Sequence, residues 1–308
     1  MKHGFWTLTV SAMVMLSLLL SCEKMVVDEE EQNQQPSIEI DANLILKVVA
    51  SGTRADSAPW TTLNFVVYQG GSKVKGITQK EGDEDFGEVG MKLTPGTYQV
   101  MVLAHSSSSN PTLSDPSNIK FSNSDGFSDT FIAYQDVTVE AMAKTYEVNV
   151  VRASAMVRFT TKDAKPAEAK RVRFWYEGGS GAINVLTGYG VDKSKQSVFV
   201  DIPDSLTGKP LQFDLYTFPR DDESTLKLLV SMFDENEDLI SYPGTDEGVR
   251  TFTNIPIKKN QITECSGYFF TDGSGDDTGG DDPGNDENTA QFMIVVNPEW
   301  GNVVHYDY

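Results

Sequence analysis

Apolar side chains recur at every second position along almost the whole chain. In residues 44–50 all even positions are apolar, and residues 98–104 repeat the pattern. A period of two places these side chains on one face of a strand, whereas a helix requires a period of 3.6. We therefore predict strands at both places. Further strands are predicted in runs rich in β-branched and aromatic residues: 63–68, 137–139, 146–151, 156–160, 172–176, 198–202, 211–218, 226–233 and 262–270.

Turn-forming residues separate these runs at short intervals. Pro95-Gly96 predicts a tight turn in which Gly96 takes a positive φ. Residues 234–238 predict a hairpin loop whose carboxylates form the turn instead of binding a metal. Only residues 163–170, with three alanines, suggest a short helical turn. The chain is therefore predicted to be all-β, with two tandem β-sandwiches at residues 41–152 and 153–270.

The N-terminus has the organisation of a lipoprotein signal peptide. Lys2 and His3 precede an apolar run from Phe5 to Leu20, and an acidic stretch follows, which argues against a retained transmembrane helix. Leu19-Leu20-Ser21-Cys22 resembles the bacterial lipobox. We predict cleavage after residue 21, palmitate-type acylation of Cys22, and a tether over residues 22–40 that anchors the chain to the outer membrane. The alternative is an ordinary signal peptide with a chance cysteine.

Charge and cysteine content restrict the partners and the means of stabilisation. The chain has 45 acidic and 25 basic residues, a formal net charge of -20. Such a surface excludes nucleic acid as a partner, because phosphate binding needs clustered cations. If Cys22 carries lipid, only Cys265 remains, so an intramolecular disulfide is excluded even in an oxidising compartment.

The last 38 residues change in character. Residues 271–290 are mostly Gly, Asp, Asn, Ser and Thr, which predicts a solvated linker. An ordered calcium site is the alternative, although the acids lack the spacing of an EF-hand loop. Residues 291–308 then open with a strand-like segment. One strand is not stable alone, so it pairs either with its own domain or with another subunit as a donor strand. The segment is Phe292, Met293, Ile294, Val295 and Val296, with Phe292, Ile294 and Val296 assigned to one face.

Nothing in the sequence indicates catalysis. The mature chain has two histidines, His105 and His305, and each is expected to be an ordinary surface or half-buried residue. Motifs for a nucleophile elbow, a phosphate loop or a zinc-protease helix are missing from the sequence. We therefore predict a protein that is not an enzyme and that uses no cofactor and no metal.

Several motifs, in order along the mature chain, resemble Bacteroidales fimbrillin and fimbrial-anchor lipoproteins. These are Cys22, 53–55 (TRA), 93–98 (LTPGTY), 151–159 (VRASAMVRF), 215–219 (LYTFP) and 255–263 (IPIKKNQIT) with Gly267. The resemblance implies two transthyretin-like (Greek-key) sandwiches and export to the cell surface. Stalk subunits of the family are trimmed after an arginine in the first long loop, and Arg54 is the residue here that matches that role. An unprocessed loop arginine is the alternative.

The resemblance implies a fimbrial subunit or anchor lipoprotein that acts in fimbria assembly and cell adhesion, with other fimbrial subunits and a host-cell or glycan ligand as partners. Anchor, stalk and tip roles stay open at this point. The alternative function is a surface glycan-binding lipoprotein that stacks sugars on aromatic side chains. The candidates for such stacking are Trp60, Trp175, Trp300 and Tyr176, although Trp175 is favoured to pack in a core.

Overall fold

The computed structural model describes residues 38–39, 41–50, 60–122, 127–243, 245–271 and 292–297. All of them lie in one compact unit, Pro36–Tyr308. In these residues the regular structure consists of strands and one 3-10 turn, Asp204–Leu206. The predicted all-β class is confirmed. Within the described residues, no helix is long and apolar enough to span a bilayer.

The first half of the chain, up to residue 152, forms a seven-stranded path. Its strand order is β3-β2-β5-β7-β8-β1-β4. The pairs are antiparallel except β1–β8, which is parallel. The strands of this half are β1 (Leu44–Ala50), β2 (Thr62–Gln69), β3 (Ser72–Lys80), β4 (Glu88–Met91), β5 (Gly96–His105), β6 (Ile119–Lys120), β7 (Phe131–Val139) and β8 (Lys144–Arg152).

A first core fills the space between the β1, β4 and β8 part of this path and the β2, β5 and β7 part. Alternation decides which side chains enter it, for example Leu46 on β1, Phe65 on β2 and Val102 on β5. However, β2 is buried on both faces over seven of its eight residues. Its second face, with Val66 and Tyr68, belongs to another cluster described below.

The second half forms two more sheets around a second core. One sheet has the order β13-β10-β15-β16, with β17 also pairing with β15, and the other has the order β14-β9-β18-β19. Their inward side chains include Phe159, Phe174 and Val230. The strands are β9 (Ala155–Thr161), β10 (Arg171–Glu177), β11 (Ala182–Asn184), β12 (Tyr189–Gly190), β13 (Lys195–Asp201), β14 (Gln212–Thr217), β15 (Thr225–Phe233), β16 (Leu239–Ile240), β17 (Val249–Pro256), β18 (Ile262–Gly267) and β19 (Phe292–Asn297).

A third, smaller cluster joins the two halves. The strands β6 and β11 pair although they belong to different halves, and β12 completes a three-stranded sheet. Phe218 packs there against Phe121 and Phe127, with ring centroids 5.5 and 6.0 Å apart. This cluster covers the outer face of β2 and β5, which explains why both strands are buried on two faces.

Three local predictions are wrong. Residues 163–170 contain a turn but no helix, because Pro166 removes a backbone donor there. Gly96 does not take a positive φ, since it already lies in β5 and pairs with Val139. His105 is fully buried, not half-exposed. The hairpin loop is confirmed: the Asp234 carboxylate accepts the N–H groups of Asn236 and Asp238, and β15 pairs with β16.

Candidate strand-addition site

The strand β1 precedes Arg54, the candidate processing site, and has a partner strand on each edge. It pairs in parallel with β8 over all seven of its residues, Leu44–Ala50, and antiparallel with β4 over four of them. Leu44 and Leu46 are completely buried in the first core. Because β1 lies between two strands, its departure would expose one edge of β8, one edge of β4 and a groove into the core.

Asn43 holds the start of β1 through its side chain. Its amide nitrogen donates to the carbonyl oxygens of Leu93 and Glu140, at 2.9 and 2.7 Å. Its amide oxygen accepts the N–H of Leu93 at 2.8 Å. The side chain is almost fully buried, so these bonds replace water that burial has removed. The sequence analysis did not identify Asn43, because its partners are 50 and 97 residues away.

A second contact holds the segment just before β1. The Lys75 ammonium lies 2.5 Å from one Glu39 carboxylate oxygen, and the N–H of Lys92 donates to the other at 2.7 Å. Burial acts to raise the pKa of the Glu39 carboxyl, but the bonds from Lys75 and Lys92 and the Lys75 charge outweigh it, so the pKa is lowered. The predicted tether, residues 22–40, therefore ends in ordered contacts with the sheet.

The last strand, β19, contrasts with β1. It pairs antiparallel with β18 at the edge of its sheet, through the six residues Phe292–Asn297. The consecutive residues Met293, Ile294 and Val295 are 57%, 38% and 45% exposed. Since successive residues of a strand point to opposite faces, neither face is well buried at these positions. At these three positions the strand is held mainly by its backbone pairing with β18.

The chain just before the predicted linker is fixed by a buried carboxylate. Asp163 accepts the N–H groups of Phe269, Phe270 and Thr271 at 2.6 to 2.9 Å. The Arg250 guanidinium donates to the carbonyl oxygens of Tyr268, Phe269 and Pro243. These bonds attach the root of the tail to the second half independently of the β18–β19 pairing. Sequence reasoning missed both residues, because an Asp in a turn and an Arg in a strand carry no signal of their partners.

The other predicted site residues lie outside the described residues. These are Cys22, the lipidation site, Arg54, the processing site, and Trp300 and His305; the linker also lies mostly outside them. Of the donor segment, the structure gives the backbone of residues 292–297 and the side chains of the three central residues only.

The histidine and the cysteine among the described residues, His105 and Cys265, are both buried. Burial lowers the pKa of His105 to about 4, so the imidazole is neutral at pH 7. Its Nδ1 accepts the N–H of Ser107, which leaves the Nε2 proton to the Asn64 amide oxygen at 3.1 Å. Burial raises the pKa of the Cys265 thiol to about 12. No group of three or more His, Cys, Asp or Glu able to hold a metal occurs in the residues that the structure describes.

The aromatic residues proposed for sugar stacking separate into two groups. Trp60 is buried in the first core and Tyr176 in the second. The prediction that these two residues stack sugars is therefore wrong. Trp175 is half-buried and lies outside both cores, on the opposite face of β10 from Phe174 and Tyr176. The expectation that Trp175 packs in a core is also wrong. The Lys195 ammonium lies 5.7 Å from the centre of its indole ring.

Residues 33–302 match the model of DUF6562, a family of unknown function. The chain belongs to the DUF6562 family. No curated protein matches the sequence.

This DUF6562 member has distant structural similarity to adhesin-type and fimbrial proteins of the Bacteroidales. A candidate adhesin from Bacteroides ovatus is 13% identical, with a TM-score of 0.48 and coverage of 86% of this chain and 95% of that chain. The fimbrial anchor protein Mfa2 from Porphyromonas gingivalis is 9% identical, with a TM-score of 0.45 and coverage of 83% and 97%. A fimbrilin from P. gingivalis W83 is 12% identical, with a TM-score of 0.44 and the same two coverages.

Proposed function

We propose that the chain is a surface fimbrial subunit that joins its neighbours by exchange of a strand, and that takes part in fimbria assembly and cell adhesion. The observation that supports it is the contrast between β1, which is enclosed between two strands beside Arg54, and β19, which is an exposed apolar edge strand. In the proposal, β1 leaves one molecule and β19 of the next molecule takes its place.

The first step is cleavage after Arg54, four residues beyond β1. Cleavage there makes β1 a separate peptide, held only by its hydrogen bonds and its buried side chains. The lipidated Cys22 leaves with it. An uncleaved chain instead keeps β1 in place and stays at the outer membrane through the lipid, which is the role of a fimbrial anchor. Processing at Arg54 therefore decides between stalk and anchor in this proposal.

The second step is replacement of β1 by a donor strand. The sequences of β1, LILKVVA, and β19, FMIVVN, have similar length and are both mostly apolar. Phe292, Ile294 and Val296 of the donor take the positions of the inward side chains of β1, such as Leu44 and Leu46. Strand addition satisfies the open backbone edges, while the alternate side chains fill the groove. The linker 271–290 supplies the reach between molecules.

The proposal also includes a domain organisation. Residues 41–152 and 153–270 are taken as two transthyretin-like sandwiches, with a signal peptide at 1–21 and a lipidated tether at 22–40. The two separate core clusters and the short connection between β8 and β9 support the boundary at residue 152. The acceptor groove then belongs to the first sandwich, and the donor strand leaves from the second.

The test compares denaturant-resistant ladders and total mass for variants made in a Bacteroidales host. We expect ladders from the full-length chain, and their loss in Arg54→Ala and in a chain ending at Asn288. Ile294→Asp should abolish the ladders, because it places a charge in the groove, whereas the matched Met293→Asp should retain them. A lipidated monomer from the full-length chain and every variant would refute the subunit role and leave the anchor role.

One observation favours a second candidate function. Trp175 is half-buried on an outer sheet face, so part of its indole ring is open to a sugar. In this alternative the chain is a surface glycan-binding lipoprotein. Retention on a polysaccharide column that Trp175→Ala abolishes, with ladders absent, would favour it over the fimbrial proposal.

A further inference from the structure

A cavity of about 310 Å³ opens between β7, β8 and the segment that links β11 to β12. This groove is distinct from the β1 site, because β1 pairs along the opposite edge of β8. Its volume lies at the lower end of the range for ligand pockets. The residues that matter are Tyr134 on β7, Val151 on β8, Leu186 and Gly188 in the linking segment, and Lys259.

The groove exists because β7 and β8 separate. Their ladder has only two residue pairs and ends at Ile132↔Val151. The N–H of Thr138, further along β7, donates to the Tyr146 hydroxyl oxygen at 3.3 Å, and the Tyr146 hydroxyl donates to the Thr138 carbonyl oxygen at 2.5 Å. The backbone groups that point away from β5 alternate along the strand, so those of Tyr134 and Asp136 point the same way as those of Thr138.

The edge between Ile132 and Thr138 is therefore open. The N–H and C=O groups of Tyr134 and Asp136 have no hydrogen-bond partner among the residues that the structure describes. Two donors and two acceptors at the spacing of a strand form a template for one added extended segment. The exposed side chains of Val151 and Leu186 provide apolar contacts at the rim.

The charge of the groove selects the occupant. The Arg152 guanidinium is neutralised by both Asp129 carboxylate oxygens, at 2.9 and 3.0 Å. The Lys259 ammonium has no carboxylate within ion-pair distance in the described part of the chain. It lies over Gly188, where a Cβ would come within 3.0 Å of it, and 4.4 Å from the centre of the Tyr189 ring.

We infer that this groove binds an extended acidic peptide, which adds to the edge of β7 and places a carboxylate on Lys259. The open backbone edge favours a peptide over a sugar, because its groups alternate at the spacing of a strand. The Lys259 ammonium, which has no carboxylate partner among the described residues, favours a carboxylate ligand at this place, although the net charge of -20 on the whole chain opposes one at long range. This site is independent of the proposed strand exchange, so either can fail without the other.

The test titrates the mature full-length chain, labelled with 15N-tyrosine, with the peptide Ac-VEVEV-NH2. The Tyr134 signal is assigned by its loss in Tyr134→Phe. We expect a saturable shift of the Tyr134 amide, and no shift with Ac-VKVKV-NH2. Lys259→Gln should weaken binding about tenfold, the loss of one charge-assisted bond, and the exposed neighbour Lys258→Gln should leave it within about twofold.

Three results would overturn the inference. One is the absence of a saturable Tyr134 shift up to about 5 mM peptide, a concentration that detects even weak complexes. Another is an equal affinity of the Lys259→Gln variant and the wild-type chain for the acidic peptide. The third is displacement of the peptide by polygalacturonate at lower concentration, which would assign the groove to an acidic glycan instead.

Discussion

The strands β1 and β19 are both short, apolar and next to a predicted long loop, yet their side chains differ in burial. Leu44 and Leu46 of β1 are fully buried between two neighbouring strands. Met293, Ile294 and Val295 of β19 remain exposed beside a single neighbour. The comparison teaches that apolar composition shows which strands need a partner, but not how well that partner covers them.

The largest expected effect on the free energy of unfolding comes from truncating a side chain of β1, compared with the same truncation in β19. Leu46→Ala should lower the free energy of unfolding by about 2–5 kcal/mol, because it opens a cavity in a closed core. Ile294→Ala should change it by less than about 0.5 kcal/mol, because the side chain is already exposed. Urea unfolding of both variants measures the contrast. Similar losses in the two variants would show that β19 is as well packed in solution as β1.

The root of β19 should be more stable than β19 itself. Asp163→Ala leaves three N–H donors unpaired, two of them on the buried residues Phe269 and Phe270, and should cost about 3 kcal/mol. Hydrogen exchange at residues 269–271 should accelerate by the same free energy, while exchange within β19 is already fast. Asp234→Ala is the matched control. The Asp234 carboxylate accepts two N–H groups, but it lies in an exposed turn. Unchanged protection at residues 269–271 would contradict the clamp.

The start of β1 should depend on one amide side chain. Asn43→Ala removes three hydrogen bonds from a buried position and should cost about 2 kcal/mol, measured by urea unfolding. Asn236→Ala, in the exposed hairpin loop, should cost less than about 0.5 kcal/mol. Equal losses would mean that Asn43 does not hold β1 in place.

The smallest effect is the pH dependence of the segment before β1. The folded-state pKa of Glu39 is lowered, so its contribution is present above the ordinary carboxyl pKa, about 4.3, and is lost as the pH falls through the lowered value. Glu39→Gln should therefore destabilise the chain by less than about 1 kcal/mol at pH 7, and not at all near pH 2.

Urea unfolding at the two pH values checks the sign. Glu88→Gln is the control, because its partner Lys47 is 3.9 Å away and both side chains are exposed. A Glu39→Gln effect that grows on acidification would reverse the assigned direction of the pKa.

Strands that alternate strongly could be predicted from the sequence, whereas polar edge strands could not. The runs that became β5 and β15 have apolar residues at alternate positions, and both are strands in the structure. The strands β3, SKVKGITQK, and β17, VRTFTNIP, were missed, because edge and partly exposed strands carry many polar residues. The small β6–β11–β12 sheet was missed for another reason, since two or three residues are too few to show a period.

The sequence by itself determined the strand class, the inward faces of the long strands and the excess of acidic charge. These depend on the geometry of one strand, in which side chains alternate over a few adjacent residues. The tertiary structure decided that β1 is internal and parallel to β8, that β19 stays exposed, and that Asn43 and Asp163 hold the start of β1 and the root of the tail. The contacts of β1, Asn43 and Asp163 depend on partners about 50 to 110 residues away, and only the folded chain brings such partners together.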